Sequence, residues 1–170
     1  MPYLPDYLKH DLTILFIGFN PSIKSGESGH HYANPTNRFY KLLEQSGLLL
    51  KRIRPEEDST LLNYGYGLTN IVEKPTRAAS DLTKADYEAG RDVLLKKLII
   101  FKPKIACYVG KGVYERMTSR RPIPWGKQTP SLVPHTIDFV VPSSSGLVRM
   151  PFEEMVEFYS SLKEEADHLN

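Results

Sequence analysis

Residues 12–22 read LTILFIGFNPS, and the fold follows from this stretch. The apolar run LTILFI at 12–17 is rich in β-branched and aromatic side chains. It is stopped by Gly18 and Pro21, which predicts a buried strand. Residues 20–37 are rich in glycine, proline, serine and asparagine and show no sustained period, so they predict a long loop. Long loops in compact domains are uncommon and often functional. Outward from this point the same grammar repeats. KIACYVG at 104–110 and TIDFVV at 136–141 predict further buried strands, and GLTNIVEKPT at 67–76 is another apolar segment that ends at a proline. Helices are predicted at 38–46, with Gly47 as the stop, and at 83–101, where Thr83 and Asp86 form an N-terminal capping pair. Two more are predicted at 111–117 and 152–165, the last with Phe152, Met155, Val156, Tyr159 and Leu162 on one face. Strands alternating with helices predict an α/β three-layer sandwich with a mostly parallel central sheet. The whole of 1–170 is read as one domain. Ligands of such sheets sit at the carboxyl ends of the strands, here the loops at 18–37, 142–151 and 67–76.

The composition agrees. The chain has 170 residues, 41% hydrophobic and 25% charged, which excludes a disordered tail, a fibre or a coiled-coil rod. No stretch approaches the roughly 20 apolar residues of a membrane span. The opening MPYLPDYLKHD carries prolines and acids and does not read as a signal peptide. One cysteine, Cys107, excludes an internal disulfide or a thiolate metal cluster; it lies in an apolar strand and reads as a small buried hydrophobe. A soluble cytosolic protein is expected. The net charge of +2 hides an asymmetry: residues 152–170 carry six acids and one lysine, so the rest holds +7. A modestly basic body allows a polyanionic partner.

Three blocks carry the chemistry. They are Gly18-Phe19-Asn20-Pro21-Ser22, then Gly29-His30-His31-Tyr32-Ala33-Asn34-Pro35-Thr36-Asn37-Arg38-Phe39, then Pro142-Ser143-Ser144-Ser145-Gly146-Leu147-Val148-Arg149. Read alone, each has an ordinary explanation. Asn20 before a proline can be a turn former, Tyr32 beside Phe39 and Tyr40 can be core, and PSSSG can be a surface loop. In this order, with Gly67-Leu68-Thr69-Asn70-Ile71-Val72-Glu73 and Val109-Gly110-Lys111 between them, they resemble the mismatch-specific uracil-DNA glycosylase and thymine-DNA glycosylase family. The resemblance is collinear over residues 12–165.

That resemblance implies a uracil-DNA glycosylase-like fold and assigns roles. Asn20 falls on the family's catalytic asparagine. An amide is no strong base, but its oxygen can accept a hydrogen bond from water and hold that water for attack. Thr69 falls on a threonine implicated near the attacking water. Phe19, Ser22, Tyr32 and Asn70 would bind the base, Tyr32 as the aromatic platform. Leu147 would wedge into the gap a flipped base leaves. Lys111, Ser143, Ser144, Ser145, Gly146, Val148 and Arg149 would meet DNA. Ser22 departs from the family's glycine, and the late loop lacks the histidine of the fast uracil enzymes, so backbone N–H groups near Phe19 and Ser22 are expected to steady the departing base.

The implied activity is monofunctional hydrolysis of the N-glycosidic bond of uracil, opposite guanine first, in double-stranded DNA. Thymine, hypoxanthine and etheno bases are further candidates. A monomer is expected, with no cofactor and no metal: His30-His31 has no third ligand at metal spacing, and Gly110-Lys111 lacks the rest of a phosphate loop. Arg120, Arg121, Trp125 and Lys127 form a basic segment that could face DNA or simply be a solvated loop with a packed tryptophan. The alternatives are a non-catalytic DNA-damage recognition module and a nucleoside hydrolase.

Overall fold

The computed structural model describes residues 4–169; residues 1–3 and 170 of the predicted domain lie outside it. Five strands form one sheet in the order β2-β1-β3-β5-β4. They are β1 (Ile14–Gly18), β2 (Tyr66–Asn70), β3 (Ile105–Val109), β4 (Gly126–Gln128) and β5 (Ile137–Val141). β1, β2, β3 and β5 are parallel, and only the short edge strand β4 runs antiparallel. Among the described residues five α-helices accompany them: α1 (Ile23–Ser28), α2 (Phe39–Gln45), α3 (Lys84–Phe101), α4 (Lys111–Thr118) and α5 (Phe152–His168), with 3-10 turns at Pro55–Tyr64 and Ala79–Asp81.

Every residue of β1 and β3 is buried, because side chains alternate between two covered faces. Ile14 and Phe16 point into a core with Cys107, Leu42 and Leu43 of α2, and Met155, Tyr159 and Leu162 of α5. Leu15 and Ile17 point the other way, into a core with Leu94 and Leu98 of α3 and Val113, Tyr114 and Met117 of α4. The three-layer expectation is met in this way, and each predicted helix and strand is present within a few residues of its predicted ends.

The chain departs from the sequence reading at three places. Residues 20–37 are not all loop, since α1 lies inside. Ser22 caps it by accepting from the Ser25 N–H at 3.1 Å, and Gly29 ends it in the left-handed region at φ 76°. A 3-10 stretch, Pro55–Tyr64, covers the β2 side, and residues 126–128 pair along β5. None of the three has an apolar period long enough to read.

The strand order places a topological switch at β1, whose neighbours are β2 and β3. The chain leaves β1 toward one edge and returns to the other side, which opens a crevice over the carboxyl end of β1. The segment after β2 closes one flank: the N–H groups of Ile71, Val72 and Thr76 donate to the carbonyls of Gly18, Phe19 and Pro21. Gly90 of α3 packs directly on this flank, because a Cβ there would collide with the Ile71 carbonyl. Alanine raises intrinsic helix propensity by about 1 kcal/mol over glycine. Gly90→Ala is nevertheless expected to lose about 1–3 kcal/mol of stability through overpacking, measured from the urea midpoint; a gain would show that the flank yields.

Candidate nucleobase site

The cleft over the switch point has a volume of about 490 Å³ and is walled by the carboxyl ends of β1 and β2, the 29–37 loop and the 143–147 loop. That volume lies within the range of small-molecule sites. Asn20, Phe19, Ser22, Tyr32, Asn70, Ser143, Ser144, Ser145, Gly146 and Leu147 all line it, so most of the predicted site converges.

Asn20 is held by its own amide nitrogen. Nδ2 donates to the Lys74 carbonyl at 2.7 Å and to Thr76 Oγ1 at 2.8 Å. A carbonyl only accepts, so the atom facing Lys74 must be nitrogen, and Oδ1 is the amide's remaining polar atom. Thr76 Oγ1 donates onward to the Ala78 carbonyl at 2.8 Å, which fixes its role toward Asn20 as acceptor. The orientation of the amide is therefore set by the flank after β2. Ser22 needs no glycine, because its backbone is extended at φ −69° and its hydroxyl serves as the cap of α1.

Tyr32 sits at φ 54°, a left-handed conformation that costs a non-glycine residue of order 1 kcal/mol. One face of its ring stacks on Phe39 at 3.9 Å between centroids and 16° between planes. The half-buried ring lines the cleft with what that stack leaves exposed. Its hydroxyl is buried with no hydrogen-bond partner among the described residues, and burial pushes its pKa up, so it stays protonated. That hydroxyl and Asn70 Oδ1 both crowd Gly18, where a Cβ would lie 3.3 Å from the first and 2.7 Å from the second. Glycine at 18 is thus what lets the Asn70 amide cross the end of β1. Phe19 keeps its ring against Tyr87 and Gly112, with ring centroids 6.2 Å from Tyr87.

Thr69 does not join the cleft. The strand alternation that brings Asn70 to it turns Thr69 away. Thr69 is 1% exposed, and its hydroxyl donates to Asp6 at 2.8 Å, while Asp6 pairs with Lys97 at 2.5 Å. Its expected place near the attacking water is corrected accordingly. Ser144 is also buried, at 2% exposed, and belongs to the cleft wall rather than to an outer DNA surface. Ser143 and Ser145 accept from the N–H groups of Ser145 and Leu147 at 3.3 and 3.2 Å, so they order their own loop. Leu147 stands 90% exposed at the cleft mouth, and Arg149 is exposed. Val148 and Arg149 lie outside the cleft lining, as does Lys111, whose ammonium rests 4.2 Å over the Trp125 ring. In the basic segment Arg120 donates to Tyr114 and to the Pro130 carbonyl, while Arg121 and Lys127 are exposed and pair with Glu115 and Glu165.

Two supports were not legible in the sequence. Asp58, 1% exposed, accepts from the His31 N–H at 2.8 Å and meets His30 Nδ1 at 3.2 Å. It anchors the turn that presents Tyr32. Arg38 bonds to the late loop. No group of three or more His, Cys, Asp or Glu among the described residues is arranged to hold a metal ion; the two histidines instead shape the loop. His31 Nε2 faces the Pro5 carbonyl at 2.8 Å, so that nitrogen carries the proton.

The fold and the cleft together define an α/β protein with a small-molecule-sized cleft at a sheet switch point. The family model for the Uracil DNA glycosylase superfamily matches residues 5–166, and the chain belongs to that superfamily. Its fold is similar to the solution NMR structure of a provisionally assigned uracil DNA glycosylase from Methanosarcina acetivorans, with a TM-score of 0.63, 19% identity and 98% of each chain covered.

Burial holds the His31 imidazole below its ordinary pKa of 6.5, against the opposing pull of the Pro5 carbonyl. The unfolded chain then binds this proton more readily than the folded one. The stability linked to His31 is complete above about pH 6.5 and falls as the pH drops below it. His31→Gln is expected to flatten that acid limb of the urea midpoint; an unchanged slope would assign the acid sensitivity to other groups.

Proposed function

We propose that this protein excises uracil from double-stranded DNA, with guanine-paired uracil the preferred substrate, as a monomeric, monofunctional glycosylase of base excision repair. The observation that carries the reading is the joint presence in one cleft of an amide oxygen of fixed orientation at Asn20, an aromatic ring at Tyr32 and an exposed apolar side chain at Leu147. Superfamily membership supports the reaction class.

A base inside a duplex is out of reach of any cleft, so it must leave the stack. Leu147 fills the space left behind, and the apolar area it loses to water favours the flipped state by about 2 kcal/mol. The base enters against Tyr32, where stacking contributes about 1–3 kcal/mol. Asn70 offers both an amide donor and an amide acceptor to the base edge. Asn20 Oδ1 accepts a hydrogen bond from a water and holds it toward the anomeric carbon. As the bond from that carbon to the base nitrogen breaks, its electron pair leaves with the base. Water oxygen bonds to the carbon, and the water proton neutralises the products. Among the described residues no carboxylate lines the cleft, so the water is positioned rather than strongly deprotonated, and slow turnover follows. Thymine, hypoxanthine and etheno bases are further substrates of the same proposal.

The test is single-turnover excision from duplexes carrying one uracil opposite guanine or adenine, with alkali to reveal abasic sites. Wild type is expected to cut, faster opposite guanine, and Asn20→Ala to be slower by about a hundredfold or more with DNA affinity retained. Binding without excision by wild type on every base named above would favour the recognition-module reading instead.

A further inference from the structure

We infer that Arg38 is a positioning residue that locks the base pocket to the wedge loop, so that a base entering beside Tyr32 and Leu147 entering the duplex form one rigid unit. The inference rests on the glycosylase reading above. Arg38 directly follows the 29–37 loop that presents Tyr32, and it stands at the N-cap position of α2, where its side chain makes no capping bond. Its Nη2 donates to the carbonyls of Ser145 at 2.8 Å and Val148 at 3.1 Å, the residues that bracket Gly146 and Leu147. Its backbone N–H donates to the Ser144 carbonyl at 2.9 Å. Three bonds thus run from one residue, at the end of the pocket loop, to three residues of the wedge loop.

Two further observations make this a built junction. Gly146 meets Thr36 so closely that a Cβ would lie 2.8 Å from the Thr36 Cβ and 2.9 Å from its carbonyl oxygen. Among the described residues Arg38 Nε is buried without a partner, and no carboxylate pairs with the guanidinium. The charge is turned inward onto carbonyl dipoles. Bonds from a cation to carbonyls are stronger than neutral ones, which suits a clamp. The root of the loop is fixed separately, by the Tyr159 hydroxyl donating to the Pro142 carbonyl at 2.9 Å. Arg38 therefore acts on the tip, which carries Leu147.

The experiment is a double-mutant cycle on single-turnover excision of guanine-paired uracil, using Arg38→Met, Leu147→Ala and the double variant, each checked for an unchanged fold by circular dichroism. Arg38→Met is expected to slow excision by about tenfold to a hundredfold, and the double variant to be no slower than Leu147→Ala alone, because Arg38 works through the loop that holds Leu147. The salt dependence of DNA binding should keep its slope, since a phosphate contact would reduce it by about one. Gly146→Ala, which pries the same junction apart without touching Arg38, should reproduce the pattern if Arg38→Met fails to fold. Multiplicative losses, or a flattened salt slope, overturn the inference and make Arg38 an independent DNA contact. If wild type excises nothing, the glycosylase reading fails on its own. The same cycle read on affinity for an abasic duplex then decides the coupling.

Discussion

The pairing of β1 with β2 on one side and β3 on the other organises the molecule. A strand five residues long, buried throughout, is hydrogen-bonded along both edges. Its carboxyl end is therefore a fixed point from which the chain must turn outward. Gly18 matches Asn70 in register, and the backbone bonds continue past the strands to Pro21 and Thr76. That continuation carries the Lys74 carbonyl and the Thr76 hydroxyl to Asn20. The site is thus an extension of sheet pairing. Asn20 is oriented by the same kind of bond that aligns the strands.

Around this fixed point the structure spends stability on shape. Tyr32 adopts a left-handed backbone and buries an unpaired hydroxyl. Leu147 exposes nearly all of its side chain. Both are locally unfavourable, and both lie on loops held by neighbours, Asp58 for the first and Arg38 for the second. Strain of this kind persists only where surrounding bonds over-determine it. The two layers of core behind the sheet supply that surplus, since large side chains such as Phe16, Phe39, Tyr114 and Tyr159 are wholly buried.

The framework was legible because it depends on period and punctuation. LTILFI, KIACYVG and TIDFVV carry runs that only a sheet covered on both faces explains, and Thr83 with Asp86 marks a helix start that the structure keeps. Most of the cleft was legible from the resemblance of three motifs. What failed did so for physical reasons. Thr69 and Asn70 are adjacent polar residues at a strand end, and only the register of β2 decides which one meets the cleft. α1 is six residues long, too short for an apolar face, and its signal was only a serine and a glycine at the right spacing. Arg38 and Asp58 are charged residues, which a sequence reading assigns to solvent. Their partners lie 107 and 27 residues away, beyond any local pattern.

The most direct test of the central claim is the structure of the wild-type protein on a duplex bearing a 2′-fluoro-deoxyuridine opposite guanine, a nucleotide that resists cleavage. The account predicts the uracil outside the helix and stacked on Tyr32. It also predicts Leu147 in the gap and a water bonded to Asn20 Oδ1 facing the anomeric carbon. A uracil still paired within the helix, or a flipped base whose anomeric carbon lies beyond a water's reach of Asn20, would contradict it.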